Sequence, residues 1–177
     1  MQCEKCRRMM RKQSICAIVK FVFLLLTAYY LDSRVIASTF DYVDYILCRN
    51  CGHEIVHPSH LIQIPSKLAH RQRNDTIGGR NGTLIQLFKN PDGVYFEVIT
   101  TVKANVTESS QSSDVMTWFP GYLWTICVCP MCFKHLGWKY ESTTESRPRS
   151  FFGIILANVL QQSEAESILH IPKAYAS

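Results

Sequence analysis

A mainly β fold follows from three features of the sequence. Short runs rich in β-branched and aromatic residues, at 82–88, 94–102, 123–128 and 137–141, alternate with turn-forming clusters. One cluster, Asn90-Pro91-Asp92-Gly93, joins two of these runs and reads as a hairpin turn, with Pro at its second position and Gly after Asp. No stretch sustains a helical period; residues 151–165 show one only weakly. The 177 residues suffice for one domain with a core. That domain is expected over residues 46–171, behind a lead-in at 38–45 and ahead of a tail at 172–177. Residues 66–81 are polar, basic and glycine-containing, and read as an exposed loop.

The N-terminal residues have a different character. A basic leader at 5–20 precedes the apolar run Phe21-Val22-Phe23-Leu24-Leu25-Leu26-Thr27-Ala28-Tyr29-Tyr30-Leu31, and small residues follow in Val35-Ile36-Ala37-Ser38. This order predicts a secretory signal peptide over 1–37, cut after Ala37. The alternative is an uncleaved signal anchor in which residues 13–30 tilt through the bilayer, the one case in which the protein would be membrane-bound. Either way the remainder is expected in the secretory lumen or outside the cell. The net charge of +5 comes from this leader, because residues 1–37 hold seven Lys/Arg and two acids and the rest is balanced. A nucleic-acid partner is therefore not expected. Three N-x-S/T sequons, at Asn74, Asn81 and Asn105, agree with glycosylated surface loops.

Of the eight cysteines, Cys3, Cys6 and Cys16 lie in the leader. Four of the other five form two C-x-x-C knuckles, Cys48-Arg49-Asn50-Cys51 and Cys129-Pro130-Met131-Cys132. Each knuckle offers two thiolates about one turn apart, and the two pairs can close a tetrahedron around one structural zinc ion. Gly52 follows the first knuckle, where a tight turn benefits from it. Disulfides suit an oxidising compartment but fit an odd set of five less well. A redox C-x-x-C would need a thioredoxin-like βαβ context. Four thiolates leave no open coordination position, so metal-dependent hydrolysis is not expected. His53, His57, His60 and His135 flank the knuckles, but the four cysteines complete the shell without them. Cys127 reads as a small buried apolar residue, with a nucleophilic role as the less favoured alternative.

The three tryptophans lie close together in sequence, at 118, 124 and 138. A turn at Phe119-Pro120-Gly121 separates the first two. In a strand through 137–141, Trp138 and Tyr140 point to one face. Three indoles and a phenol can then converge on one wall, either as an aromatic cage for a flat or cationic ligand or as plain core. The residues alone leave those two readings open.

The span Trp118-Phe119-Pro120-Gly121-Tyr122-Leu123-Trp124, then Cys129-Pro130-Met131-Cys132, then His135-Leu136-Gly137-Trp138-Lys139-Tyr140, resembles the thalidomide-binding (CULT) domain family of cereblon. The first knuckle, Leu47-Cys48-Arg49-Asn50-Cys51, and the turn at Asn90-Pro91-Asp92-Gly93 match in order, and the resemblance covers roughly residues 46–171. It implies a β-tent of two antiparallel sheets pinned by zinc on Cys48, Cys51, Cys129 and Cys132. It also implies a cage for cyclic imides such as a glutarimide, for uridine-like molecules, or for C-terminal cyclic imides of proteins. Trp118, Trp124 and Trp138 would form that cage, Tyr140 would floor or flank it in place of a Phe, and Asn90 and Pro91 would come from a hairpin loop above it. Met116 stands where the family has a His whose backbone hydrogen-bonds the imide. Residues 66–81 look inserted relative to the family. The chain shows no Lon-like region and no helical adaptor segment, so a ubiquitin-ligase adaptor is not an expected partner.

A secreted, non-enzymatic binding module is therefore the leading expectation. Two alternatives stand beside it. One is a β-tent enzyme resembling methionine sulfoxide reductases, which would have to use Cys127. The other is a cage for quaternary ammonium or methylated lysine; it lacks an acid placed by the sequence, Asp114 being the nearest.

Overall fold

The computed structural model describes residues 42–145 and 148–169, together with Lys20 and Val22. The expected signal peptide, cleavage site and C-terminal tail lie outside the described residues. Among the described residues no helix is long and apolar enough to cross a membrane.

In the compact unit that begins at Val43, eleven described strands form two antiparallel sheets. The smaller sheet has the order β11 (Val159–Gln161), β1 (Ile46–Cys48), β2 (Glu54–Val56). The larger runs β4 (Arg71–Ile77), β5 (Arg80–Lys89), β6 (Tyr95–Thr101), β10 (Ser150–Ile155), β9 (His135–Ser142), β8 (Tyr122–Val128), β7 (Thr107–Glu108). A short β3 (Leu61–Ile62) pairs with β6. The class is mainly β, as the alternating runs predict.

The larger sheet is covered on both faces. Along β6, Val98 joins an aromatic cluster with Phe88, Phe119, Tyr140 and Phe151, and its neighbour Ile99 joins an aliphatic cluster containing Ile46, Ile55, Ile85 and Leu136. Successive side chains on a strand point to opposite faces, so one strand feeds two cores. The aliphatic cluster includes Cys48 and Cys129, and the three tryptophans pack against the aromatic one.

Strand β9 breaks the alternation. Leu136 belongs to the aliphatic side and Trp138 packs on the aromatic side, although they are two residues apart. The β8–β9 register shifts at Cys127/Val128, opposite Gly137 and His135. An extra residue in one strand reverses the facing of all that follows. Gly137 has φ 149°, and a Cβ there would lie 1.9 Å from the Gly153 carbonyl oxygen on β10. Only glycine lets the two strands meet at this point.

Two local expectations need correction. Residues 66–81 are not a loop throughout, because 71–77 form β4 at the sheet edge. Six of its seven residues are exposed, so it carries no apolar alternation, and backbone pairing with β5 holds it. Residues 151–165 are not helical at their start. They continue β10, pass through a 3-10 turn at Leu156–Asn158 and β11, and enter helix α1 (Gln162–Leu169) only at its end. Strand β10 lies between β6 and β9 and is covered on both faces, so it reads as a continuous apolar run rather than an alternating one.

Candidate functional site: a four-cysteine cluster and an aromatic cavity

The two C-x-x-C knuckles meet at the edge of the aliphatic core. The first follows β1, and the second follows β8. The Sγ atoms of Cys48, Cys51, Cys129 and Cys132 all lie within 4.8 Å of one another. Cys48 and Cys132 are 3.7 Å apart, and Cys51 and Cys129 3.6 Å. A tetrahedral ion with metal–sulfur bonds of about 2.3 Å requires sulfurs roughly 3.8 Å apart. The donor set therefore fits one tetrahedral ion, whereas a disulfide needs about 2.05 Å. The four cysteines can hold a metal.

The knuckles repeat one backbone design. Gly52 N–H donates to the Cys48 carbonyl at 2.8 Å, and Phe133 N–H donates to the Cys129 carbonyl at 2.9 Å. Both residues following a knuckle are left-handed, Gly52 at φ 73° and Phe133 at φ 59°. The second position is costly for a side chain with a Cβ, and Phe133 projects into solvent. Backbone amides also bias the thiols. The Lys134 amide and the Asn50 side chain hold Cys132 down to about 6. The His53 amide favours the Cys51 thiolate, but burial and the neighbouring sulfurs push that thiol up to about 12. The flanking histidines are engaged elsewhere: the His53 ring hydrogen-bonds Asn105, His57 bonds Ser59, and His135 Nε2 donates to the Gly137 carbonyl.

The aromatic side of the sheet opens into a cavity of about 480 Å³. Its lining includes Asn90, Pro91, Met116, Trp118, Trp124, Trp138 and Tyr140, so every sequence-derived cage candidate lies on one wall or another. Strand pairing explains the convergence. Trp124 is opposite Tyr140 and Ile126 is opposite Trp138 across β8–β9, and all four line the cavity. The β5–β6 hairpin brings Asn90 and Pro91, with the Gly93 amide donating to the Asn90 carbonyl and the Val94 amide to the Asn90 side chain.

Each indole is fixed by a different contact. Trp118 stacks on buried Phe88, with ring centroids 4.7 Å apart and planes within 7°. Its Nε1 donates to the Lys89 carbonyl at 3.3 Å. Trp124 Nε1 donates to the Val115 carbonyl at 2.9 Å. Trp138 lies between Phe96 and His135, edge-to-face with both. Pocket and core are not alternatives here, because Trp118 packs on the core and lines the cavity as well.

Met116 sits in the loop before Trp118 with φ 57°, an unusual left-handed conformation for this residue type. Among the described residues, neither its amide nor its carbonyl has a protein hydrogen bond, and the Trp118 amide has none. The Trp118 carbonyl is taken by the Ser66 hydroxyl. Met116 and Trp118, which both line the cavity, thus leave a donor, an acceptor and a second donor without protein partners.

Sequence reasoning missed several members of the lining. Phe96 and Ile126 come from strand register, and Val115 from the loop ahead of Met116. His135, which the sequence marks only as flanking a knuckle, lines the cavity, and burial holds its imidazole below the ordinary value despite the Gly137 carbonyl. The acid at the cavity is Asp92, on the hairpin, and not Asp114. Cys127 is fully buried, does not line the cavity, and is pushed up to about 11 by burial. A thiol so protonated and enclosed is a poor nucleophile.

No family model matches the chain. Among curated proteins it is similar to cereblon. It is 39% identical to the Gallus gallus protein over 85 residues, 46% of this chain and 19% of that one. It is 28% identical to the Drosophila erecta protein over 130 residues, 71% of this chain and 20% of that one. With the Danio rerio protein it shares 36% identity over 75 residues, 41% of this chain and 17% of that one. The chain matches about a fifth of the length of these relatives. Four clustered cysteines, a mainly β fold and this sequence relationship agree: over the matched residues the chain is similar to cereblon, whose CULT domain it resembles.

Proposed function

We propose that this protein is a zinc-stapled, non-enzymatic binding module whose aromatic cavity takes a small planar ring with a cyclic imide edge. The observation that carries the reading is the pairing of three indoles with unpartnered backbone groups at Met116 and Trp118. An imide edge presents acceptor, donor and acceptor in line, the complement of amide, carbonyl and amide. The indoles desolvate the ring, each aromatic contact contributing roughly 0.5–1.5 kcal/mol, and a ligand lacking that edge leaves the Met116 and Trp118 backbone groups without its hydrogen bonds. Glutarimides, uracil-type bases and cyclic imides at protein C-termini share this edge.

Zinc on the four cysteines is structural in this reading, since four thiolates close its shell. Secretion or residence in the secretory lumen rests on the N-terminal sequence. The exposure of Asn74, Asn81 and Asn105 is compatible with glycans there.

A second reading has one observation in its favour. Asp92 on the lining gives an aromatic cage the carboxylate that a quaternary ammonium ligand prefers. Titrating the protein with glutarimide and with tetramethylammonium, followed by tryptophan fluorescence, separates the two. Saturable quenching by glutarimide alone is expected. Saturation by the ammonium ion alone overturns the imide reading.

A further inference from the structure

The floor of the cavity contains a polar atom with no assigned task. Tyr140 lines the cavity yet is only 2% exposed. Its ring is clamped: edge-on to Phe119 at 4.7 Å, stacked on Phe151 at 5.0 Å, and so close to Gly153 that a Cβ there would lie 3.0 Å from Tyr140 Cε2. The hydroxyl therefore cannot swing to find a partner.

No described residue hydrogen-bonds that hydroxyl, although no fully buried side-chain nitrogen or oxygen among the described residues is left without a partner. The oxygen must therefore keep some exposure, and the open space that Tyr140 borders is the cavity. Burial raises the phenol above its ordinary range, so it stays protonated and can donate. Elsewhere in this cluster Trp118 and Trp124 donate to carbonyls and the Tyr122 hydroxyl donates to Pro148, which leaves the Tyr140 hydroxyl and the Trp138 Nε1 as its side-chain groups without a protein partner among the described residues.

We propose that the Tyr140 hydroxyl donates a hydrogen bond to an acceptor on the inner edge of the bound ring. The cavity would then select imide rings with an oxygen or nitrogen opposite the imide N–H over rings with only carbon there. This rests on the imide reading above. In this reading, a ring held by its imide edge at the Met116–Trp118 loop presents its opposite edge to the Tyr140 hydroxyl, since all three residues line one cavity. An apolar edge leaves the hydroxyl desolvated and unpaired, a cost that a phenylalanine would not incur.

Two nearly isosteric rings test this: glutarimide, with a methylene opposite the imide N–H, and morpholine-3,5-dione, with an ether oxygen there. Both are titrated into the full protein and into Tyr140→Phe by tryptophan fluorescence, with melting curves recorded for each. The substitution is expected to weaken the ether ring relative to glutarimide by roughly three- to tenfold, while melting is unchanged or raised. An unchanged affinity ratio overturns the role of the hydroxyl and leaves the imide reading standing. If neither ring binds the unaltered protein, the imide reading falls and this inference falls with it.

Discussion

The indole of Trp118 meets that of Trp138 edge to face, with ring centroids 4.8 Å apart and planes inclined by 72°. That angle makes a corner and not a stack, and a corner is what encloses a flat molecule on two sides. Trp124 closes the arrangement without contacting the core cluster through a ring pair of its own among the described aromatics. The three indoles therefore differ in what they hold.

Trp124→Ala is accordingly expected to abolish imide quenching while lowering stability by less than about 1 kcal/mol. Trp118→Ala removes a ring stacked on Phe88 and is expected to cost roughly 2–3 kcal/mol as well as binding. Chemical denaturation beside ligand titration checks both. Full imide binding by Trp124→Ala would contradict the cage.

Cys51→Ser is expected to lose the metal and to lower the melting temperature by roughly 10 °C or more. Cys127→Ala is expected to keep a stoichiometry of one metal per chain, because its thiol lies outside the cluster. Metal analysis after dialysis distinguishes the two variants. Acidification should release the ion, since protons compete for the thiolates.

Gly137→Ala is expected to destabilise the protein by about 3 kcal/mol or more, because the new methyl would overlap the Gly153 carbonyl on β10. The bulge that turns Trp138 onto the cavity side would be lost with it. Imide affinity and melting temperature should both fall, and a normal melting curve would disprove the overlap.

His135 supplies a pH dependence. Burial holds its folded-state value below the ordinary 6.5, so the unfolded chain takes up a proton first. Its contribution to stability is complete above about pH 6.5 and is lost as pH falls through the folded value. Melting temperature should decline over that window and decline less steeply in His135→Gln. Equal slopes would exclude His135 as the cause.

Much of this was legible in the sequence because it depends on short spacings. Two residues between cysteines make a knuckle wherever the chain goes, and Trp138 and Tyr140 share a face in any strand. The Pro-Asp-Gly turn likewise marks its hairpin. The joining of the knuckles and the partners of the indoles depend on register between distant strands, which composition does not encode. Phe96 reaches Trp138 because β10 holds β6 and β9 on its two flanks, with Gly153 pairing Thr100 and Trp138 at once. Strand β4 was hidden for another reason: an edge strand with polar side chains on both faces looks like a loop until its partner is known. The bulge at Gly137 was equally hidden, since glycine alone does not distinguish a bulge from a turn.

The cysteine cluster also dictates an order of events. Cys48 and Cys132 are separated by 84 positions and Cys51 and Cys129 by 78. A growing chain must carry its first knuckle without the second pair of thiols through the synthesis of β2 to β8. Closing so long a loop costs entropy that neighbouring contacts must first offset. An ion held by these four cysteines would thus be captured late, as a latch on a largely assembled sheet and not as its nucleus.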